Sequence, residues 1–279
     1  MRVWFITGAS RGFGALIAAE ALAQGDAVVA TARDPSAVIT RLGAQERLLA
    51  TRLDVTSETK AREAAGQAIK TFGRIDVLVN NAGYGLLGAV EESGASEVER
   101  LFATNVFGLL AVTRAVLPHM RRQGAGHIIN LSSVGGYAGY PGWGVYGATK
   151  FAVEGISEAM AVELAPLGVH VTVVEPGFFR TDFLDDTSLV RTALQIDDYH
   201  ATVGQTREHA ADVNHAQPGD PAKLAKAFML LAAAKAPPVR LPLGSDTVAR
   251  IEAKHAFVEK ELAAWRDVAF STDFDLHRL

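Results

Sequence analysis

The feature that most constrains this chain is a rhythm. Short apolar or β-branched runs recur, and each is followed by a longer stretch of helical periodicity. Val3–Thr7, Ala27–Ala32, Leu48–Leu53, Ile75–Asn80, His127–Leu131 and His170–Val174 read as strands, with Val239–Leu243 as a seventh. Gly12–Gln24, a stretch to about Arg41, a Ser57-capped stretch to about Thr71, Ser96–Arg122, Val145–Ala165 and Asp246–Ala264 read as helices. Strands that are apolar on both faces need cover on both faces. The pattern predicts an α/β chain: one Rossmann-type, doubly wound parallel sheet of about seven strands with helices on both sides. No linker or repeat divides the sequence, so residues 1–279 read as one domain. Pro237-Pro238 reads as a turn into an edge element. Residues from about 183 to 220 show no strand pattern and read as a lid, and about 237–279 as a C-terminal extension.

The first strand runs into Thr7-Gly8-Ala9-Ser10-Arg11-Gly12-Phe13-Gly14 and then a helix. Glycines there permit a tight turn and close backbone approach. The helix start offers free N–H groups to a pyrophosphate, so the segment predicts a dinucleotide. The second strand ends in Arg33-Asp34. An acid at this place holds the 2′-hydroxyl of NAD, an arginine the 2′-phosphate of NADP. Arg33 comes first off the strand and Arg11 adds positive charge nearby, so NADP(H) is favoured over NAD(H).

Tyr146-Gly147-Ala148-Thr149-Lys150 sets a phenol and an ammonium on one helix face. A lysine beside a tyrosine favours the phenolate and draws its pKa down, which suits proton exchange with a carbonyl or alcohol. Just upstream, Ser132 and Ser133 end the fifth strand, where either hydroxyl could bind a carbonyl or cap the strand end. Asn80-Asn81-Ala82-Gly83 ends the fourth strand at the same sheet edge, and Asn105 sits inside the helix that follows.

Together with Pro176-Gly177, these segments resemble the short-chain dehydrogenase/reductase family from about Arg2 to Thr181. The resemblance implies an NAD(P)-dependent oxidoreductase with a tetrad of Asn105, Ser133, Tyr146 and Lys150. Tyr146 would be the general acid/base and Ser133 would orient the carbonyl. Lys150 would bind the nicotinamide ribose and tune Tyr146, and Asn105 would hold a water relaying protons from Lys150 to solvent. It further implies cofactor contacts by Gly8, Ser10, Arg11, Gly12, Phe13, Gly14 and Arg33. Asp54-Val55 would meet the adenine and Asn81-Ala82-Gly83 would line the channel. Pro176, Gly177, Phe179 and Thr181 would pack on the nicotinamide. The sequence departs from common members at Pro238-Val239-Arg240-Leu241-Pro242-Leu243-Gly244. Family members commonly form homodimers or homotetramers through the helices that here are Ser96–Arg122 and Val145–Ala165.

Tyr84, Tyr137, Tyr140, Trp143, Phe178, Phe179 and Phe183 gather where a substrate should lie. Of these, Tyr140, Trp143, Phe178 and Phe183, with Ser133 and Tyr146, are the expected substrate contacts. They suit an apolar ketone or secondary alcohol. Arg180, Arg191 and Arg207 keep an acidic substrate in view. His200, His209 and His215 have no compact ligand spacing, so no metal is expected.

Composition narrows the remainder. The chain has no cysteine, which excludes thiol nucleophiles and Cys-held metals. A net charge of −4 without basic blocks argues against nucleic acid. The longest apolar run, Ala227–Ala234, is far short of a membrane span, and the start lacks a signal pattern, so a cytoplasmic protein is expected. Thirteen of 26 glycines fall at turns expected to face a ligand. Two alternatives differ in class. A non-catalytic NADP(H)-sensing protein would not need the Tyr146–Lys150 pair. An isomerase or epimerase on the same fold would carry a different glycine loop and a longer C-terminal part.

Overall fold

Side-chain alternation along the first strand divides the core in two. In a computed structural model describing residues 1–274, Val3 and Phe5 enter one apolar cluster and Trp4 and Ile6 the other. Residues 275–279 of the expected C-terminal extension lie outside the described residues. The elements run β1 (Val3–Thr7), α1 (Gly12–Ala23), β2 (Ala27–Ala32), α2 (Pro35–Leu42), β3 (Leu48–Arg52), α3 (Glu58–Phe72) and β4 (Val77–Asn80). They continue with β5 (Gly85–Leu87), α4 (Ala95–Phe102), α5 (Leu109–Gln123), β6 (Gly126–Leu131), α6 (Gly144–Leu164), β7 (Val169–Pro176) and β8 (Leu189–Arg191). The last are α7 (Gln205–Asp212), α8 (Pro221–Ala233), β9 (Arg240–Leu243) and α9 (Ser245–Phe270).

Seven strands form one parallel sheet in the order β3-β2-β1-β4-β6-β7-β9. One face is covered by α3, α5 and α6, the other by α1, α2 and α8. The inner stripe of α3 is Ala61, Ala64, Ala65 and Ala68, all buried, which lets that helix sit close to the sheet. Strand order reverses between β1 and β4, where a doubly wound sheet opens a crevice at its carboxyl edge. β9 is an edge strand and carries Pro242, which an edge tolerates.

Three expectations need correction. Ser96–Arg122 is not one regular helix. Residues Ala103–Gly108 are π-helical between α4 and α5, and Asn105 lies in that segment. Nor is the lid irregular throughout. It holds β8 and α7, and β8 pairs in parallel with β5 to form a second, two-stranded sheet. Three-residue strands are too short to show a period, so neither was legible. By composition alone, Ala95–Gln123 is also long and apolar enough to cross a membrane, but half of its most apolar window is buried in the core. At the far end, α9 buries Thr247 and leaves Phe257, Leu262 and Trp265 exposed.

Candidate active site

The carboxyl ends of the sheet strands open onto one cleft of about 1360 Å³. A site for one small ligand spans roughly 300–1,000 Å³, so this cleft has room for a dinucleotide and a second molecule. Every residue expected at the site lines the cleft except Gly14 and Asn105.

Gly8 and Gly12 have φ of +65° and +54°, which L side chains rarely adopt. Gly14 works from behind: a Cβ there would lie 2.5 Å from the Gly8 carbonyl oxygen and 2.6 Å from Asn81 Nδ2. Asn81 fastens the loop. Its Nδ2 donates to the carbonyls of Thr7 (2.8 Å) and Gly8 (3.1 Å), and its backbone N–H donates to Thr7 Oγ1 at 2.9 Å. Among the described residues no side chain caps α1 and its first turn has no acid, so its N–H groups and dipole face the cleft uncompensated. A pyrophosphate fits these groups.

At the adenosine end the two candidate side chains have different occupations. Asp34 caps α2, accepting from Ser36 N (2.9 Å) and Ser36 Oγ (2.7 Å). Those bonds hold its carboxyl below the ordinary range. Arg33 is exposed at the cleft wall, with no hydrogen-bond partner among the described residues. Arg11 differs from expectation. Its Nη2 donates 2.6 Å to the carbonyl of Thr187 in the lid, so it ties loop to lid rather than standing as a free phosphate partner. Asp54 accepts from Thr56 N and Oγ1 (3.0 and 2.7 Å), which fixes the turn after β3.

Tyr146 and Lys150 are both buried on α6. Lys150 Nζ lies 5.6 Å from the Tyr146 ring centre and donates to the Leu131 carbonyl at 2.8 Å. Burial draws the ammonium down to about 8, with Glu154 pulling it back up. For Tyr146 the expectation of a lowered pKa fails in this cleft. Burial pushes the phenol above its ordinary 10, and the Ser133 hydroxyl opposes that rise. Ser133 accepts from Gly135 N at 3.1 Å, so it also caps the turn after β6. Asn105 stands behind the cleft. Its Nδ2 donates to Tyr84 O (3.0 Å) and Thr149 Oγ1 (3.2 Å), and its Oδ1 accepts from Tyr84 N (3.1 Å). That side chain pins the Tyr84 loop, so both of its N–H donors are spent before any water relay.

Two aromatic side chains flank Tyr146: Trp143 at 5.6 Å and Phe183 at 5.7 Å between ring centres. Phe178 meets His209 of the lid edge-on at 6.2 Å. Tyr137 does not join them. It lies outside the cleft, with its hydroxyl on His255 and Arg240 over its ring at 5.3 Å. Five of the thirteen glycines expected at ligand-facing turns line the cleft; others, such as Gly88 against Thr192, serve close packing. The three arginines considered for an acidic substrate are engaged elsewhere. Arg180 holds the Gln217 carbonyl, Arg191 pairs with Asp186, and Arg207 pairs with buried Glu92.

The lid histidines do not converge: His200 packs on Gly204, His209 on Phe178, and His215 bonds Asp185. One ligand atom each of Asp182, Asp185 and His215 does lie within 4.8 Å of the others, a grouping that is common without any ion. Sequence reasoning missed Glu92. Its carboxylate accepts from Ala89 N (2.7 Å) and Ile196 N (2.8 Å) as well as Arg207, and so clamps the lid. Burial opposes its ionisation, but those partners hold it below the ordinary carboxylate range. A glutamate in a polar turn gives no sequence signal of this.

A short chain dehydrogenase family profile matches residues 2–190. An oxidoreductase, BOA17, of Botryotinia fuckeliana is 37% identical over 97% of this chain and 99% of its own. The 3-ketodihydrosphingosine reductase of Bacteroides thetaiotaomicron is 40% identical over 87% of this chain and 88% of its own. Among solved structures, a short-chain dehydrogenase from Streptomyces avermitilis superposes with a TM-score of 0.91 at 41% identity, covering 98% of this chain and all of that one. One from Burkholderia phymatum in complex with NAD gives 0.81 at 26% identity, covering 93% and 95%. A serine dehydrogenase complexed with NADP+ gives 0.72 at 28% identity, covering 86% and 94%.

Proposed function

From the premise that this chain belongs to the short-chain dehydrogenase family and is an NAD(P)-dependent oxidoreductase, we propose that it interconverts an apolar ketone and its secondary alcohol with NADP(H). The observation that carries this reading is the place of Tyr146. It lies in the cleft wall between the glycine loop and the aromatic chamber, flanked by Ser133, Lys150, Trp143 and Phe183. A relative named for reducing 3-ketodihydrosphingosine supports a keto substrate with a large apolar part. Exposed Arg33, beside an Asp34 already used as a cap, supports NADP(H).

The bound nicotinamide would give a hydride to the carbonyl carbon, or take one from the alcohol. The chain's own residues manage the oxygen. Ser133 and Tyr146 hydrogen-bond it, and Tyr146 donates its proton as negative charge develops there. A phenol held neutral by burial is in the right state to donate. The neighbouring ammonium of Lys150 stabilises the phenolate left behind. Arg33 and the α1 N-terminus would hold the phosphates, and Phe179 and Thr181 would flank the nicotinamide. Phe107, Phe151 and Val162 are exposed apolar groups on the two helices expected to join copies, which supports a homo-oligomer.

Tyr146→Phe tests the reading. Turnover across a panel of ketones and alcohols should fall by roughly a hundredfold to ten-thousandfold, with NADP(H) affinity by calorimetry little changed. Wild-type turnover in the variant would overturn the acid/base assignment.

A further inference from the structure

One helical turn beyond Lys150, α6 presents a second ionisable group, Glu154, which is 3% exposed. Beside it lies Glu175 near the end of β7, 1% exposed. Arg240 of β9 serves both through one nitrogen: Nη1 donates to Glu154 Oε2 and, at 2.8 Å, to Glu175 Oε1. Its Nη2 donates to Glu158 Oε1 at 2.8 Å. Three carboxyl groups therefore share one guanidinium, and two of the three are buried. Among the described residues, Glu154 Oε1 and Glu175 Oε2 have no hydrogen-bond partner, and neither does Ser132 Oγ beside them. Two ionised carboxylates with orphaned oxygens in the interior are costly, because burial and like charge both oppose the second ionisation. A single proton between them satisfies both oxygens and leaves one negative charge for Arg240.

We propose that Glu154 and Glu175 share one proton and that this pair acts as a positioning element, setting the charge on Lys150. The role assigned to Lys150 rests on the catalytic reading above; the shared proton does not. The charged and titratable groups around the pair come from several elements. Lys150 and Glu158 lie on α6 and Arg240 on β9; Tyr137 follows β6 under Arg240, with His255 of α9 on its hydroxyl. Ionisation of Glu154 is pushed up to about 7, chiefly by burial, with Glu175 adding to the rise and Arg240 opposing it. When the pair gives up its proton, a second negative charge appears one turn from Lys150. That charge holds the ammonium on over the range where burial alone would discharge it.

A carboxyl titrating near 7 in the fold and near 4.5 in the unfolded chain makes the folded state bind the extra proton between those values. Stability is therefore full below about 4.5 and falls as pH rises towards 7.

Glu154→Gln supplies the test, since an amide puts an N–H where the shared proton would sit and so preserves the contact. Wild-type protein at mildly acid pH should show the infrared band of a protonated carboxylic acid, and Glu154→Gln should lose it. The variant's thermal midpoint should then change less than wild type's as pH rises from 4.5 to 7. The alkaline limb of its kcat/KM profile should move to lower pH by roughly one unit, because the second negative charge never forms. Absence of the band in wild type, or its survival in Glu154→Gln, overturns the shared proton. An unmoved alkaline limb overturns the action on Lys150. Full activity in Tyr146→Phe breaks the catalytic reading instead, and the infrared band then decides the shared proton by itself.

Discussion

The two arms of the cleft are built in different ways. The cofactor arm is made by strand ends and the turns next to them, so its parts are fixed by the sheet register. Gly8, Asn81 and Ser133 stand at the ends of β1, β4 and β6, which are held together by parallel ladders. The substrate arm is assembled from distant pieces. β5 meets β8 a hundred residues later, and Glu92 meets Arg207. The first arm inherits its geometry from the core. The second needs its own fastenings: a small apolar cluster of Leu87, Leu184, Leu189 and Ala210, and polar clamps such as Glu92–Arg207. It follows that substrate binding can loosen without disturbing the dinucleotide site.

Removing the clamp should have the largest effect of the tests that separate the arms. Arg207→Leu leaves Glu92, whose side chain is 0% exposed, without its counter-charge. Breaking one side of such a pair typically costs about 3–5 kcal/mol, because a buried charge is left uncompensated. Two backbone N–H bonds to Glu92 remain, which places the expected cost towards the lower end. Amide exchange should quicken across residues 189–212, and KM for the carbonyl substrate should rise. The affinity for NADP(H) should stay within about twofold, the range of a surface change. An equal loss on both ligands would show that the arms are one cooperative unit.

Arg33→Asp is the mirror experiment and should be the next in size. It trades a charge-assisted partner of the 2′-phosphate for a like charge. NADP affinity should fall by roughly ten- to hundredfold relative to NAD. Substrate KM at saturating cofactor and exchange in the lid should not move. An unchanged NADP/NAD ratio would remove Arg33 as the discriminator.

What the sequence made legible follows the same division. Seven strands, the glycine loop and the Tyr146–Lys150 pair are local patterns of a few residues, and each lies where its pattern placed it. Asp34 also became readable once the cap was seen, since Asp-Pro-Ser at a helix start is itself a capping signal. The β5–β8 sheet, the Glu92–Arg207 pair and the Glu154–Glu175–Arg240 cluster are products of tertiary proximity. Their residues lie more than 20 positions apart in ordinary-looking contexts, and no local period marks them. Arg240 gave one hint, for it sits in the segment where the chain departs from the common family ending. Asn105 was visible as a polar residue in a helix, but the π-helical turn that aims it was not. Nothing in Ala103–Gly108 distinguishes that turn from the α-helix around it.

Arg11 links the two arms, and it carries the smallest and most diagnostic expectation. It leaves the glycine loop at the start of α1, yet its guanidinium bonds the Thr187 carbonyl across the mouth of the cleft. An exposed hydrogen bond of this kind contributes up to about 1 kcal/mol net, so Arg11→Gln should cost at most about fivefold in any one constant. How that small loss is divided is informative. If Arg11 is chiefly a latch, the loss falls on substrate KM and on lid exchange near Thr187, and the NADP/NAD ratio is untouched. If the side chain turns to the phosphates when NADP(H) binds, NADP affinity falls while lid exchange in the ligand-free protein still quickens. The second result would mean that cofactor binding releases the lid, and that the arms, separate in construction, are coupled through this arginine. Combining Arg11→Gln with Arg33→Asp decides between them. Additive losses in NADP affinity place both arginines on the phosphates, and an effect of Arg33→Asp alone confines Arg11 to the latch.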